Sequence, residues 1–448
     1  MRCALGLMIV LALATGGSAQ NPTREQKVRG DKAKVEAEGF WIYNDLPRAF
    51  AEAKASERPL VVVLRCIPCE QCVKLDDDLV DTDPRLRPLL EQFVRVRVVS
   101  ANGLDLSLFQ FDTDQSFAVF LLNADGTIYG RFGTRSDQRN WTDDVSIEGL
   151  AKALSGALEL HRGYPANRAT LAGKRGPKPD FVAPEQYPRL AGKYGSQLNY
   201  EGNVVQSCIH CHQIGDAQRQ YHRDQSGSLP EAVLFPYPHP KALGLILDPK
   251  ERATVLRVEA GSLAAKSGLQ AGDVITALNG QPLLSLADVQ WVLHQVSPGG
   301  GTVLASVLRG DQTLPLELVL PSGWRRLDDI AWRVSSWELR RMVLGGMLLK
   351  PLSPDERSEL KIPAGQMAFK VEHVGQFAPH DQAKRAGVVK GDVLVSYAGR
   401  SDLVRDTDVL AFGLDQVKPG EDVPLGILRD GERKMLTIQT APTTPASR

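Results

Sequence analysis

From Trp41 to about Tyr164 the apolar positions switch repeatedly between helical and strand spacing. Pro47-Arg-Ala-Phe-Ala-Glu-Ala-Lys54 carries a helical pattern with proline at its start. Leu60 to Leu64 is an unbroken apolar run after Pro59, which predicts a buried strand. Arg85 to Phe93 predicts another helix, and Val94 to Val99 and Phe117 to Leu122 two more strands. Ala124-Asp-Gly-Thr127 is a hairpin turn leading into a strand over Ile128 to Phe132. Ser146 is placed to cap a helix with Leu150, Leu154 and Leu158 on one face. The succession predicts an α/β domain over 41–164.

The flanks read differently. Residues 20–40, charged from Arg24 to Lys34, predict a frayed lead-in. Lys174-Arg-Gly-Pro-Lys-Pro179, with Pro184 and Pro188 after it, predicts a proline-rich linker over 165–186. Residues 187–240 are polar, have few strand signals and read as a short, mostly α segment. The remainder repeats itself. Ala271 to Gly280 answers Lys390 to Gly399, 119 positions on, and Leu308-Arg309 answers Leu428-Arg429. Two copies of a β-rich α+β unit, 241–320 and 343–441, flank a stretch over 321–342 with Trp324, Trp332 and Trp337. Residues 442–448 form a tail.

Composition narrows the function. The 448 residues hold 53 Lys and Arg against 53 Asp and Glu, which removes the electrostatic case for nucleic acid. Hydrophobic content of 43% with 24% charged residues fits a multidomain globular chain, neither disordered nor a membrane bundle. Met1 to Ala19 reads as a secretory signal: Arg2, a short apolar run, then Gly17-Ser18-Ala19. The mature chain is expected in the periplasm or another extracytoplasmic space, with no transmembrane span and five cysteines.

The repeat resembles bacterial PDZ domains. The first copy reads Leu243-Gly244-Leu245-Ile246, then Ala260 to Ile275 with its Gly-Asp pair and the Asn279-Gly280 turn. The second reads Gly345-Gly346-Met347-Leu348, then Ala383 to Leu394. The resemblance implies that these two tetrads receive peptides or protein C-termini, because a glycine loop before a strand edge converges backbone amides on a carboxylate. Ser285-Leu-Ala-Asp288 reads as a capping box for the helix beside the groove. Paired PDZ units after a secretory signal also resemble exported PDZ-tailed proteases, but neither a Gly-Asn-Ser-Gly-Gly-type loop nor a Gly-x-Ser-x-Gly elbow is present, so a serine protease is not expected.

Cys66-Ile-Pro-Cys69-Glu-Gln-Cys72 follows the first buried strand and resembles the C-x-x-C of thioredoxin-like proteins. The resemblance implies a redox pair, Cys69 with Cys72, with Cys66 the alternative partner. Phe117 stands where thioredoxins carry a cis-proline. Cys208-Ile-His-Cys211-His212 resembles the attachment motif of c-type cytochromes, which implies covalent haem c on Cys208 and Cys211 with His212 on iron. His239 is the candidate sixth ligand, and a zinc site or a plain disulfide are the other readings of the motif. The resulting expectation is a periplasmic redox or electron-transfer protein that docks its partners through PDZ modules. The alternative is a non-catalytic PDZ adaptor with a vestigial thioredoxin fold.

Overall fold

The structure is a computed structural model and describes residues 22–65, 83–115, 117–136 and 143–443. The predicted N-terminal strands form one sheet in the order β1-β3-β2-β4-β5. They are β1 (Ile42–Tyr43), β2 (Leu60–Arg65), β3 (Val94–Val98), β4 (Phe117–Leu122) and β5 (Ile128–Phe132). The first three in space run parallel, and β4 and β5 add antiparallel. β2 and β4 are buried along their whole lengths, the reason their sequences are continuous apolar runs.

The lead-in is not frayed. Thr23 and Gln26 form a reciprocal capping box that opens α1 (Arg24–Glu38). The Glu25 carboxylate accepts from the Val204 and Val205 amides, Asp31 lies 3.0 Å from the buried Arg65, and Val28 and Val35 are buried. The helix finds partners across the fold, which its charge pattern does not disclose. Asp45 caps α2 (Leu46–Ser56), and Ser146 caps α3 (Ile147–Arg162) through the Gly149 amide, as the sequence predicts. The helix expected over Arg85 to Phe93 is one turn, Arg87–Leu90, because the Val94 amide must reach the Pro59 carbonyl to start β3.

Residues 165–186 are a strap, not a free linker. Lys174 is 1% exposed and 3.0 Å from the Asp288 carboxylate. Arg131 Nη2 donates to the Lys174 carbonyl at 2.7 Å, and Trp291 Nε1 to the Gly173 carbonyl at 2.9 Å. Residues 187–240, carrying α4 (Cys211–Ser226), close the same core: Tyr187, Ile209, Ile214 and Ala217 pack with Val62, Val96 and Phe120.

The repeat is structural as well as sequential. The first unit runs β6 (Leu245–Leu247), β7 (Val255–Val258), β8 (Val274–Leu278), β9 (Gln281–Pro282), α5 (Leu286–Gln295), β10 (Gly301–Arg309) and β11 (Gln312–Leu320). After α6 (Ser336–Val343) the second runs β12 (Met347–Pro351), β13 (Phe369–Val374), β14 (Val393–Tyr397), α7 (Asp406–Gln416), β15 (Asp422–Arg429) and β16 (Glu432–Gln439). In each, the aspartate of the Gly-Asp pair holds the arginine that ends the penultimate strand. Arg309 donates to Asp273 at 2.7 and 2.8 Å, and Arg429 to Asp392 at the same distances.

Ser285 caps α5 through the Ala287 amide, but the expected capping box is not closed. Asp288 turns instead to the Leu284 amide (2.9 Å), the Arg131 amide (3.2 Å) and Lys174. The last two of these lie on β5 and the strap, and every residue from Leu286 to Leu293 is buried. Contact with β5 is close enough to require glycine at 130, where a Cβ would stand 2.6 Å from Leu284 Cδ1.

Candidate functional site

In the first tetrad Gly244 is left-handed (φ 73°), and a Cβ there would run into Ser262. Its carbonyl accepts from the Glu259 amide at 2.9 Å. With Leu245 opposite Val258 and Ile246 opposite Arg257, antiparallel alternation turns the N–H and C=O of Leu245 away from β7. Among the described residues β6 has β7 as its single strand partner, so this main chain lies on an edge. Leu243, Leu245 and Leu247 anchor the edge in a core shared with Val289, Val292 and Leu293 of α5, while Ile246 is half-buried.

The second tetrad has the same plan with one difference. Gly345 (φ 59°) and Gly346 (φ 82°) are both left-handed, and the Gly346 carbonyl accepts from the Gly375 amide at 3.0 Å. Met347 then faces the open edge of β12, the terminal strand of its sheet. Its amide is already given to the Leu344 carbonyl (3.2 Å), and Leu348 follows opposite His373. The edge amide that corresponds to Leu245 is therefore engaged.

Cys208, Cys211 and His212 do not assemble as the haem reading requires. Cys208 is buried, its Sγ 3.8 Å from the Ile209 carbonyl. Cys211 opens α4 and packs on the core of the N-terminal sheet, and both thiols are free. Burial raises both; Cys211 is pushed up to about 12, with Cys208 beside it adding to the effect. The His212 side chain is instead 41% exposed, 3.4 Å from Asp216 and stacked on His210. The cavity bordering α4 is lined by Ile214, Gly215, Gln218 and Arg219, not by this triad. Two buried thiols, one of them packed on the apolar core, and a solvent-facing imidazole do not fit a covalently held porphyrin. No cluster of three metal-ligating side chains occurs among the described residues.

His239, the expected sixth ligand, is committed elsewhere. Its Nδ1 accepts from the Lys241 amide (3.2 Å) and its Nε2 lies 3.3 Å from Asp144. Burial lowers the imidazole more than Asp144 raises it, so the ring is neutral, and with Nδ1 accepting the proton sits on Nε2. Burial alone would raise Asp144, but His239, Lys241 and Ser136 hold it well below the usual carboxylate range. The cluster pins the entrance of the first repeat unit to the N-terminal domain. Asp144 carries no motif that marks it in the sequence. Cys66, Cys69 and Cys72 lie outside the described residues, and Phe117 opens β4 opposite Arg65.

With this geometry in place, residues 41–124 match the family model described as thioredoxin-like, and residues 254–306 the one described as a PDZ domain. The chain is therefore multidomain, thioredoxin-like at its N-terminal end and PDZ-containing beyond. It is 32% identical over 149 residues to the periplasmic pH-dependent serine endoprotease DegQ of Escherichia coli (strain K12), covering 33% of this chain and 29% of that protein. It is 24% identical over 189 residues to a probable periplasmic serine endoprotease, DegP-like, of Hahella chejuensis, covering 42% and 38%. A solved structure of the HtrA-type protease AlgW with a decapeptide aligns over 32% of this chain and 42% of that one, at 15% identity and a TM-score of 0.21. The chain thus spans about a third of the length of these curated relatives. They overturn the expected haem redox and electron-transfer function, since they are periplasmic serine endoproteases by name. The extracytoplasmic location stands, and no helix among the described residues is long and apolar enough to cross a membrane.

Proposed function

We propose that this chain is an extracytoplasmic peptide-binding protein. Its PDZ domain takes the last residues of another protein as an added strand on β6, with the Gly244 loop receiving the carboxylate. The second repeat unit is, in this reading, a second PDZ domain with a weaker edge, because the Met347 amide is engaged by Leu344. The observation that carries the reading is the main chain of Leu245, turned to an open edge directly after a left-handed glycine.

The test is fluorescence anisotropy of a labelled apolar-ended heptapeptide with a free C-terminus against its C-terminal amide. The free acid should bind at least about tenfold more tightly, roughly 1.4 kcal/mol. Gly244→Ala should remove that preference, because its Cβ meets Ser262 and displaces the loop. Equal affinity for acid and amide would reject carboxylate capture.

A further inference from the structure

Where the chain between β3 and β4, the strap, α4 and α5 meet, they border an open cavity of about 460 Å³, within the roughly 300–1,000 Å³ of small-molecule sites. Its lining divides by chemistry. Phe109, Tyr187 and Trp291 form an aromatic wall, each nearly fully buried. Arg219 and Arg325 bring two guanidinium groups, and the exposed Lys178 adds a third positive charge. Asp180, the carboxylate of the lining, is already 3.1 Å from His222.

Arg219 is the unusual member. It is 2% exposed, yet its bonds are long: Nε lies 3.3 Å from the Val233 carbonyl and Nη2 3.4 Å from Asp114. Nη1 is buried and has no hydrogen-bond partner among the described residues. Asp114 has other donors beside the charge of Arg219, the Ser335 amide and hydroxyl at 2.8 Å each. The same wall holds Gly215, where a Cβ would stand 3.1 Å from Nη1 and 2.6 Å from Thr113 Oγ1. Glycine at this place lets Nη1 lie against α4 in the cavity wall. A buried cation with an unused donor attracts an anion far more strongly than one in water, and the aromatic wall offers an apolar body a dry surface.

We propose that this cavity binds a small carboxylate with a ring-sized apolar body, its carboxylate on Arg219 and its body against Trp291 and Tyr187. The site is separate from the β6 edge and does not rest on peptide capture there. The ligand would touch the strap, α4 and α5 together.

Calorimetric titration of the full chain tests this with 3-phenylpropionate, 3-phenylpropan-1-ol and 3-phenylpropylamine, plus the tripeptide Gly-Gly-Phe with a free C-terminus. The acid should bind at least tenfold more tightly than the alcohol, and the amine should give no heat. Arg219→Gln should bring the acid down to the alcohol's affinity. Ala232→Phe, which fills the cavity from its wall, should abolish both. Lys178→Glu, a surface change that spares folding, should weaken the acid several-fold while leaving the alcohol unchanged, so the idea stays testable if Arg219→Gln does not fold. Equal binding of acid and alcohol, acid binding that survives Ala232→Phe, or no heat at millimolar acid would overturn the proposal. Tripeptide binding tighter than the acid's and blocked by Ala232→Phe would also overturn it, assigning the cavity to peptide ends.

Discussion

His294 works as a neutral ring. Its Nδ1 accepts the Tyr237 amide at 3.2 Å, and the ring stacks on Tyr237 with centroids 4.0 Å apart. Burial, with Arg325, Arg333 and Arg131 around it, lowers its pKa to about 3. The unfolded chain takes up this proton near pH 6.5, whereas the folded chain resists until far lower. Stability is therefore full above about pH 6.5 and declines as pH falls toward 3, by at most about 1.4 kcal/mol per pH unit for this residue. His210, lowered to about 4 chiefly by burial, and His239 act in the same direction. Asp328, raised to about 7 by burial, acts in the opposite direction, so the variant decides: between pH 7.5 and 4.5 the melting temperature of His294→Gln should fall less, or rise more, than that of the parent chain. An unchanged slope in that variant would show that the proton goes elsewhere. The residue scale is also where the sequence misleads most. The spacing of Cys208, Cys211 and His212 is readable, but the direction in which each side chain points is not. The core that Cys211 packs on is built from β2, β3 and β4, far earlier in the chain.

Among the elements, α5 shows how a correct local reading can lack its main partner. Its position, its start at Ser285 and its inward valines are all written in the pattern of Leu283 to Val296. Asp288 was legible as a first-turn acid, but Lys174 and the Arg131 amide are contributed by distant segments whose sequences look like linker and strand. The two ends of this contact are unequal. Removing Asp288 strands three donors, the Lys174 ammonium and the amides of Leu284 and Arg131, whereas removing Lys174 leaves the carboxylate two amide partners. Asp288→Ala should cost about 3–5 kcal/mol, as for a broken buried pair, and Lys174→Met less, about 1–3 kcal/mol. Urea denaturation of both variants decides the order; equal losses would mean the ammonium, not the amides, dominates.

Across the whole molecule the same logic ties the ends together. Arg333 Nη1 donates to both oxygens of Asp112 at 2.7 and 2.6 Å, and Nη2 to the Pro236 carbonyl at 2.7 Å. All of these groups but the carbonyl belong to side chains no more than 2% exposed. Arg333 comes just before the second repeat unit and Asp112 from the N-terminal domain, so this guanidinium, with Ser335 on Asp114 beside it, clamps the two. Arg333→Met should destabilise by about 3–5 kcal/mol because it leaves Asp112 buried without its counter-charge. Urea denaturation of Arg333→Met measures the loss; an unchanged midpoint would place the clamp elsewhere, in the Ser335 bonds to Asp114. The fold class of each part was legible, from apolar periodicity at the N-terminal end and from the 119-residue repeat beyond it. Their docking was not, because buried arginines and aspartates far apart in sequence carry no periodic signal.

The burial of α5 on every face has a practical corollary. A fragment cut at the limits of the sequence repeat, residues 241–320, would carry Trp291 and Asp288 into water without the strap and β5 that cover them. Sequence boundaries here do not mark a severable piece. The PDZ unit borrows half the surroundings of its own groove helix from chain that folds 100 residues upstream. Affinities measured on such a fragment would describe an object this protein never presents to a partner.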